Sequence, residues 1–263
     1  MRYFLICRNF FTFIKPFHFN LNRTASNFTA MDPQEAAKKA AACQAIKDHI
    51  SGNCVVGIGS GSTIVYAVEE LARIVKEKNL KIPCIPTSFQ AKQLIREFNL
   101  LLSDLEEYQE LDYVFDGADE VDANLALIKG GGGCLTQEKI VASCTNNLII
   151  VADSRKDSTF LGTNWTKGIP IEVIPMAYMP IKRRLEAMGG PAELRMAKAK
   201  AGPLVTDNGN FILDWKFTIK SADWRTLNQK ILCFPGVVET GLFVDMAKKI
   251  YFGEEDGNVT IKI

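Results

Sequence analysis

Cys54-Val55-Val56-Gly57-Ile58-Gly59-Ser60-Gly61-Ser62-Thr63 is the most telling segment of the chain for its architecture. Cys54 to Ile58 is short and apolar and reads as a buried strand. A turn of glycines and hydroxyl residues follows. From Ile64 to Lys78 apolar residues recur at helical spacing. Strand, glycine-rich turn and helix together form the repeating unit of a parallel sheet covered by helices. Upstream, Asp32-Pro33-Gln34-Glu35 is a helix start: a capping aspartate, proline at the first position and an acid in the first turn. An alanine-rich stretch carries that helix to Ile50, and Ser51-Gly52-Asn53 breaks it.

Downstream the unit recurs in looser form. Ile82 to Pro86 reads as a strand, Thr87-Ser88 as a turn and Phe89 to Phe98 as a helix. Tyr113-Val114-Phe115 is a strand entering Asp116-Gly117-Ala118-Asp119. Gly130 to Gly133 precedes a helix from Thr136 to about Ser143, and Leu148 to Ala152 is an apolar strand ending at Asp153. The polar, glycine-rich segments all follow strands, so they should converge at one sheet edge, where ligands bind in such folds.

After Gly162 the order changes. Strands are expected at Ile169–Ile174, Ala192–Ala197 and Val237–Thr240. Helices are expected at Tyr178–Met188 and Trp224–Phe234. Leu204–Thr206 and Phe211–Leu213 flank Asp207-Asn208-Gly209-Asn210, a hairpin signal. Strand-helix-strand-strand-helix-strand is ferredoxin-like. The chain returns through Tyr251-Phe252 and Val259–Ile263 around an Asp256-Gly257-Asn258 turn. The expected fold is therefore α/β: a parallel-sheet, Rossmann-like domain over residues 31–162 and 241–263, with a smaller α+β ferredoxin-like domain over 163–240.

Residues 1–30 carry four basic residues and no acid, and hold seven of the sixteen phenylalanines. That composition reads as a transit peptide or as an extension ahead of a start at Met31. No run approaches the ~18 apolar residues of a membrane span. Over 263 residues, Lys+Arg number 31 and Asp+Glu 30, so bulk charge gives no reason to seek nucleic acid or an anionic membrane. Seven cysteines, widely spaced and without a CxxC, suit free thiols in a reducing compartment. With only two histidines, His18 and His49, acid–base chemistry falls to carboxylates and lysines.

Five segments could carry that chemistry. In Gly57–Thr63, backbone N–H groups and a helix N-terminus suit an anion, with Ser60, Gly61, Ser62 and Thr63 nearest it. No lysine precedes the Ser/Thr, so it is no Walker A loop, and Ser62 stands where a dinucleotide fingerprint needs glycine. Asp116-Gly117-Ala118-Asp119-Glu120-Val121-Asp122 is a strand-end carboxylate cluster suited to sugar hydroxyls or proton transfer. Its spacing does not fit a calcium loop. Lys129-Gly130-Gly131-Gly132-Gly133 suits close approach of backbone to a ligand. Thr136 as N-cap would put Glu138 in the first helical turn, where the dipole lowers its pKa. Lys156, after a strand, could reach a phosphate.

As a set these stretches resemble type A ribose-5-phosphate isomerase. Thr136-Gln137-Glu138-Lys139-Ile140, Ala152-Asp153-Ser154-Arg155-Lys156, Pro170–Met176, Val205–Asn210 and Pro235-Gly236-Val237-Val238 add to the likeness, which covers about residues 33–263. The resemblance implies interconversion of ribose 5-phosphate and ribulose 5-phosphate without metal or organic cofactor. It assigns the general base to Glu138, an acidic pair to Asp116 and Asp119, and a lysine to Lys129. It assigns substrate contacts to Ser60, Gly61, Ser62, Thr63, Gly130, Gly131, Gly132 and Lys156. A phosphate-contacting lysine in the first helix falls on Lys38 or Lys39. It further suggests a homo-oligomer. From composition the expected compartment is the cytoplasm, or mitochondria if residues 1–30 form a transit peptide, with no nucleic-acid or membrane partner. Two alternatives share the fold. A non-catalytic sugar-phosphate sensor would carry a DNA-binding helix-turn-helix, for which residues 1–30 lack the pattern. A coenzyme A transferase would use a glutamate as nucleophile, but Asp116–Asp119 with the Lys129–Gly132 run favours the isomerase.

Overall fold

The computed structural model describes residues 32–218 and 223–263. The transit-like reading of residues 1–30 lies outside them. Helix α1 (Pro33–His49) is capped by Asp32, whose carboxylate accepts from the Gln34 N–H. There follow β1 (Val56–Ile58), α2 (Ser62–Lys78), β2 (Pro83–Pro86), α3 (Phe89–Glu97), β3 (Leu101–Leu102) and β4 (Tyr113–Asp116). Next come β5 (Glu120–Val121), β6 (Leu127–Ile128), α4 (Leu135–Ala142) and β7 (Leu148–Asp153). The chain continues with β8 (Ile169–Val173), α5 (Tyr178–Met188), β9 (Ala192–Leu194), β10 (Phe211–Trp215), α6 (Trp224–Leu232) and β11 (Val237–Thr240). It ends with β12 (Leu242–Phe243), β13 (Ala247–Gly253) and β14 (Val259–Lys262).

The main sheet has the order β14-β13-β7-β4-β1-β2-β3. Every neighbouring pair in it is parallel except β13 with β14. Both faces are covered, which is why β7 is buried along its whole length and reads as an apolar run up to its terminal Asp153. Ile149 and Val151 face the core shared with α1, α2 and α3. Leu148, Ile150 and Ala152 face the opposite core, with Val141 and Ala142 of α4. The chain leaves β1 toward β2 and β3, then returns to lay β4 on the other side of β1. The strand order therefore reverses between β1 and β4, and the crevice beyond their C-terminal ends is the topological switch point where such sheets bind ligands.

The second sheet, β11-β8-β10-β9, is antiparallel throughout and has the expected ferredoxin-like order. Ile181 and Leu185 of α5 and Leu227 and Ile231 of α6 pack with Ile171 and Trp215 of the sheet. The hairpin expected at Leu204–Leu213 is corrected. Its turn forms, with the Thr206 N–H donating to the Asn210 carbonyl at 2.9 Å, but Leu204 pairs with Arg195 instead of β10. The strand beside β10 is β9, with Leu213 opposite Leu194. Thr206 Oγ1 accepts from the N–H groups of Asn208 and Asn210, closing a side-chain-centred turn that ends the ladder. A small third sheet, β12-β6-β5, had no periodic signal because its strands are two residues each.

Candidate active site

At the switch point the ends of β1 and β4 are joined by one carboxylate. Asp116 Oδ1 accepts from the Ser60 N–H at 3.1 Å and the Gly117 N–H at 2.7 Å. The approach requires glycine at position 59, since a Cβ there would lie 2.1 Å from Asp116 Oδ1. The Ser60 hydroxyl donates to Ser88 Oγ at 2.6 Å, tying the turn to the end of β2. Gly61 then caps α2 without any side-chain hydrogen bond to the helix's first N–H groups, which leaves them open to an anion.

Lys38 reaches this terminus from α1. Its Nζ donates to Glu35 Oε1 at 2.7 Å and to Ser62 Oγ at 3.1 Å. Lys39 instead lies over the Tyr66 ring, 6.0 Å from its centroid. Of the two lysines left open by the sequence, Lys38 is the one that lines the cavity. Gln34, one helical turn before Lys38, shares its face and lines the cavity too. Gln90 accepts the Gly61 N–H at 2.9 Å. Sequence reasoning missed Gln34, Gln90 and Asp153 as lining residues. Only Gln34's spacing of four from Lys38 and Asp153's strand-end position offered a signal.

The cavity is about 250 Å³ and gathers residues from α1, the β1–α2 turn, the β4 and β6 ends, α4 and the segment after β7. Ser60, Gly61, Ser62, Thr63, Asp119, Lys129, Gly130, Gly131, Gly132, Glu138 and Lys156 all line it. Asp116 does not. It is fully buried just behind the wall, where its Oδ2 lies 2.9 Å from Lys129 Nζ. Lys129 Nζ also donates to the Gly117 carbonyl at 2.6 Å and lies 3.3 Å from Glu138 Oε2. Its ammonium is 5.3 Å from the Phe243 ring centroid. The rest of the acidic motif is structural. Glu120 accepts from the N–H groups of Gly162, Thr163 and Asn164, and Asp122 from those of Asn124 and Ala126.

Asp116 and Glu138 thus share one ammonium, and the ionisation of the site follows from that count. Burial pushes the Glu138 carboxyl up, the neighbouring Asp116 charge adds to this, and Lys129 only partly offsets them, leaving it at about 8. This corrects the expected lowering by the helix dipole. Desolvation of a buried carboxyl beside a like charge outweighs a dipole effect of about 1 kcal/mol. The N-cap is also corrected: it is Cys134, and the Thr136 hydroxyl points away to Glu172. Burial works against the Lys129 ammonium, but Asp116, Glu138 and Asp119 outweigh it and hold its pKa above the ordinary value. Burial raises Asp119 as well, against the Gly131 N–H that it accepts at 2.6 Å. Burial pushes the Cys134 thiol up to about 11, so it is a neutral group in the wall at neutral pH.

Helix α4 is held by a buried carboxylate from the smaller sheet. Glu172 Oε2 accepts from Thr136 Oγ1 at 2.6 Å, and its Oε1 accepts from Thr206, Asn208 and Asn210 at 2.9 Å each. Glutamine at 172 would turn a donor toward donors. Glu172→Gln is expected to lose about 2 kcal/mol of unfolding free energy, read as a lower urea midpoint. An unchanged midpoint would contradict this account of the network.

Fold and cavity together define an α/β protein with a buried carboxylate–ammonium cluster facing an open helix N-terminus. The sequence profile of Ribose 5-phosphate isomerase A (phosphoriboisomerase A) matches residues 83–257. The chain is 58% identical over 235 residues to the ribose-5-phosphate isomerase of Homo sapiens, covering 89% of this chain and 75% of the human one. It superimposes on ribose 5-phosphate isomerase A of Methanocaldococcus jannaschii with a TM-score of 0.81 at 40% identity, covering 87% of this chain and 99% of that one. A D-ribose-5-phosphate isomerase in complex with phospho-erythronic acid gives a TM-score of 0.82 at 40% identity, covering 87% and 98%. The chain belongs to the ribose 5-phosphate isomerase A family.

Proposed function

We propose that this protein interconverts ribose 5-phosphate and ribulose 5-phosphate through an enediolate, with Glu138 as the base. The observation that carries this reading is the Glu138 carboxyl, buried beside Lys129 with its pKa near neutrality, in a cavity that ends at the open N-terminus of α2. The phosphate binds at that terminus, through the backbone of Ser60–Thr63 and the side chains of Ser62, Thr63, Lys38 and Lys156. This remote anchor supplies orientation to the reacting carbons. As carboxylate, Glu138 takes the proton from C2 of the open-chain aldose and returns it to C1, while the hydroxyl proton of O2 passes to O1. Lys129 and the N–H groups of the Gly130–Gly132 run stabilise the developing oxyanion. Asp119, in the cavity wall, assists opening of the furanose ring. Asp116 has no face on the cavity and acts through Lys129, as a positioning residue.

The direct test follows ribulose 5-phosphate formation from ribose 5-phosphate, in EDTA, with protein beginning at Met31. Turnover is expected, and folded protein without turnover would overturn the reading. The protein is further expected to be a cytoplasmic homo-oligomer, checked by cell fractionation and sedimentation. The pH profile is a sharper test. Glu138 must be ionised to act and its pKa is raised to about 8, so kcat/KM should fall as pH drops below about 8. An acid limb at the ordinary carboxyl value would exclude this Glu138 environment in the working enzyme.

A further inference from the structure

Arg195 lies outside every motif that pointed to the site. It follows β9 directly, and its side chain is 15% exposed. Its Nε donates to Asp214 Oδ2 at 2.8 Å and its Nη2 to Asp214 Oδ1, so the carboxylate from β10 fixes the guanidinium fork. The remaining nitrogen, Nη1, donates to the Gly130 carbonyl at 2.8 Å and the Gly131 carbonyl at 3.3 Å. In a trans peptide the C=O and N–H point opposite ways. With the Gly130 carbonyl drawn to Arg195, the Gly131 N–H turns to the other side, where it donates to Asp119 Oδ2 at 2.6 Å. With the Gly131 carbonyl drawn the same way, the Gly132 N–H also points away from Arg195. Gly131 and Gly132 both line the cavity. Gly131 itself has no slack, since a Cβ there would lie 2.5 Å from Asp119 Oδ1 and 2.8 Å from Trp165, whereas Gly132 opens onto free space.

We propose that Arg195, locked by Asp214, is a positioning residue for the reaction. Through two peptide planes it sets the Asp119 carboxyl and aims the Gly132 N–H at the substrate oxygen that gains charge. The inference rests on the isomerase reading above. It differs from a purely architectural role because its effect falls on the reacting end of the substrate and leaves the phosphate end alone.

The test uses Arg195→Met combined with Asp214→Leu, which strands no buried carboxylate, and Arg195→Lys alone, which keeps a charge but replaces the fork with a point donor. Each is assayed for kcat and KM, for melting temperature, and for inhibition by inorganic phosphate and by phospho-erythronic acid. For the double variant, kcat should fall about 10²-fold, the scale of losing one oxyanion donor. Inhibition by inorganic phosphate should hold, while phospho-erythronic acid binds more weakly. Arg195→Lys should lie between the double variant and the parent. An unchanged kcat, or a loss of phosphate inhibition in step with kcat and melting temperature, would overturn the proposal. A parent chain that does not isomerise ribose 5-phosphate overturns the functional reading instead, whatever the variants do.

Discussion

Glu138→Gln is expected to lower kcat by about 10²–10⁴-fold, the contribution of a positioned general base, with little change in KM. The amide keeps the shape of the carboxyl and can turn its oxygen toward Lys129, but it cannot accept the substrate proton. A second result separates this from general damage. The folded-state pKa of Glu138 is raised to about 8 from an ordinary 4.5. Between those values the folded protein binds a proton that the unfolded chain has released. Stability therefore falls as pH rises through that window, and the group costs nothing below it. Glutamine carries no such cost. The melting temperature of the variant relative to the parent should therefore rise between pH 5 and pH 8. Turnover unaffected by the substitution would remove Glu138 from the mechanism. Loss of turnover with a lower melting temperature at pH 8 would assign it a structural role.

Lys129→Met should damage stability and catalysis together. The lysine is 2% exposed and Asp116 is fully buried, with Oδ2 facing the ammonium at 2.9 Å and having no other partner among the described residues. Removing one member of a buried ion pair leaves a charge without compensation, a loss of about 3–5 kcal/mol. That is a large part of the roughly 5–15 kcal/mol by which domains are stable. Asp116→Asn in the Lys129→Met background removes the stranded charge. Urea denaturation should then show most of the stability regained, while kcat stays low because the oxyanion has lost its cation. A Lys129→Met protein as stable as the parent would contradict the buried pairing. A double variant that regains turnover would remove Lys129 from the chemistry.

The parallel sheet was legible because its strands are buried on both faces and read as apolar runs, as Leu148–Ala152 does, each followed by polar, glycine-rich sequence. The site motifs were legible for the same reason, since strand ends at the switch point tolerate little besides what binds. The Leu204–Leu213 segment was harder. Its turn residues are those of a hairpin, but Thr206 bonds into the Glu172 network and hands the partnership of β10 to Ala192–Leu194. Arg195 and Gln90 carried no local signal, because each acts on backbone distant in sequence.

The α/β architecture, the glycine-rich turn at Gly59–Thr63, the carboxylates, the lysine and the glycine run are all readable in the chain alone, because these depend on local periodicity and on residue types at strand ends. Long-range packing settles that Lys38 and not Lys39 lines the cavity, that Asp116 stands behind the wall while Asp119 stands in it, and that the Glu138 pKa rises. Those outcomes depend on which charges are brought together and how much water is excluded around them. Both are set by residues far apart in the chain, whose energies no local pattern contains.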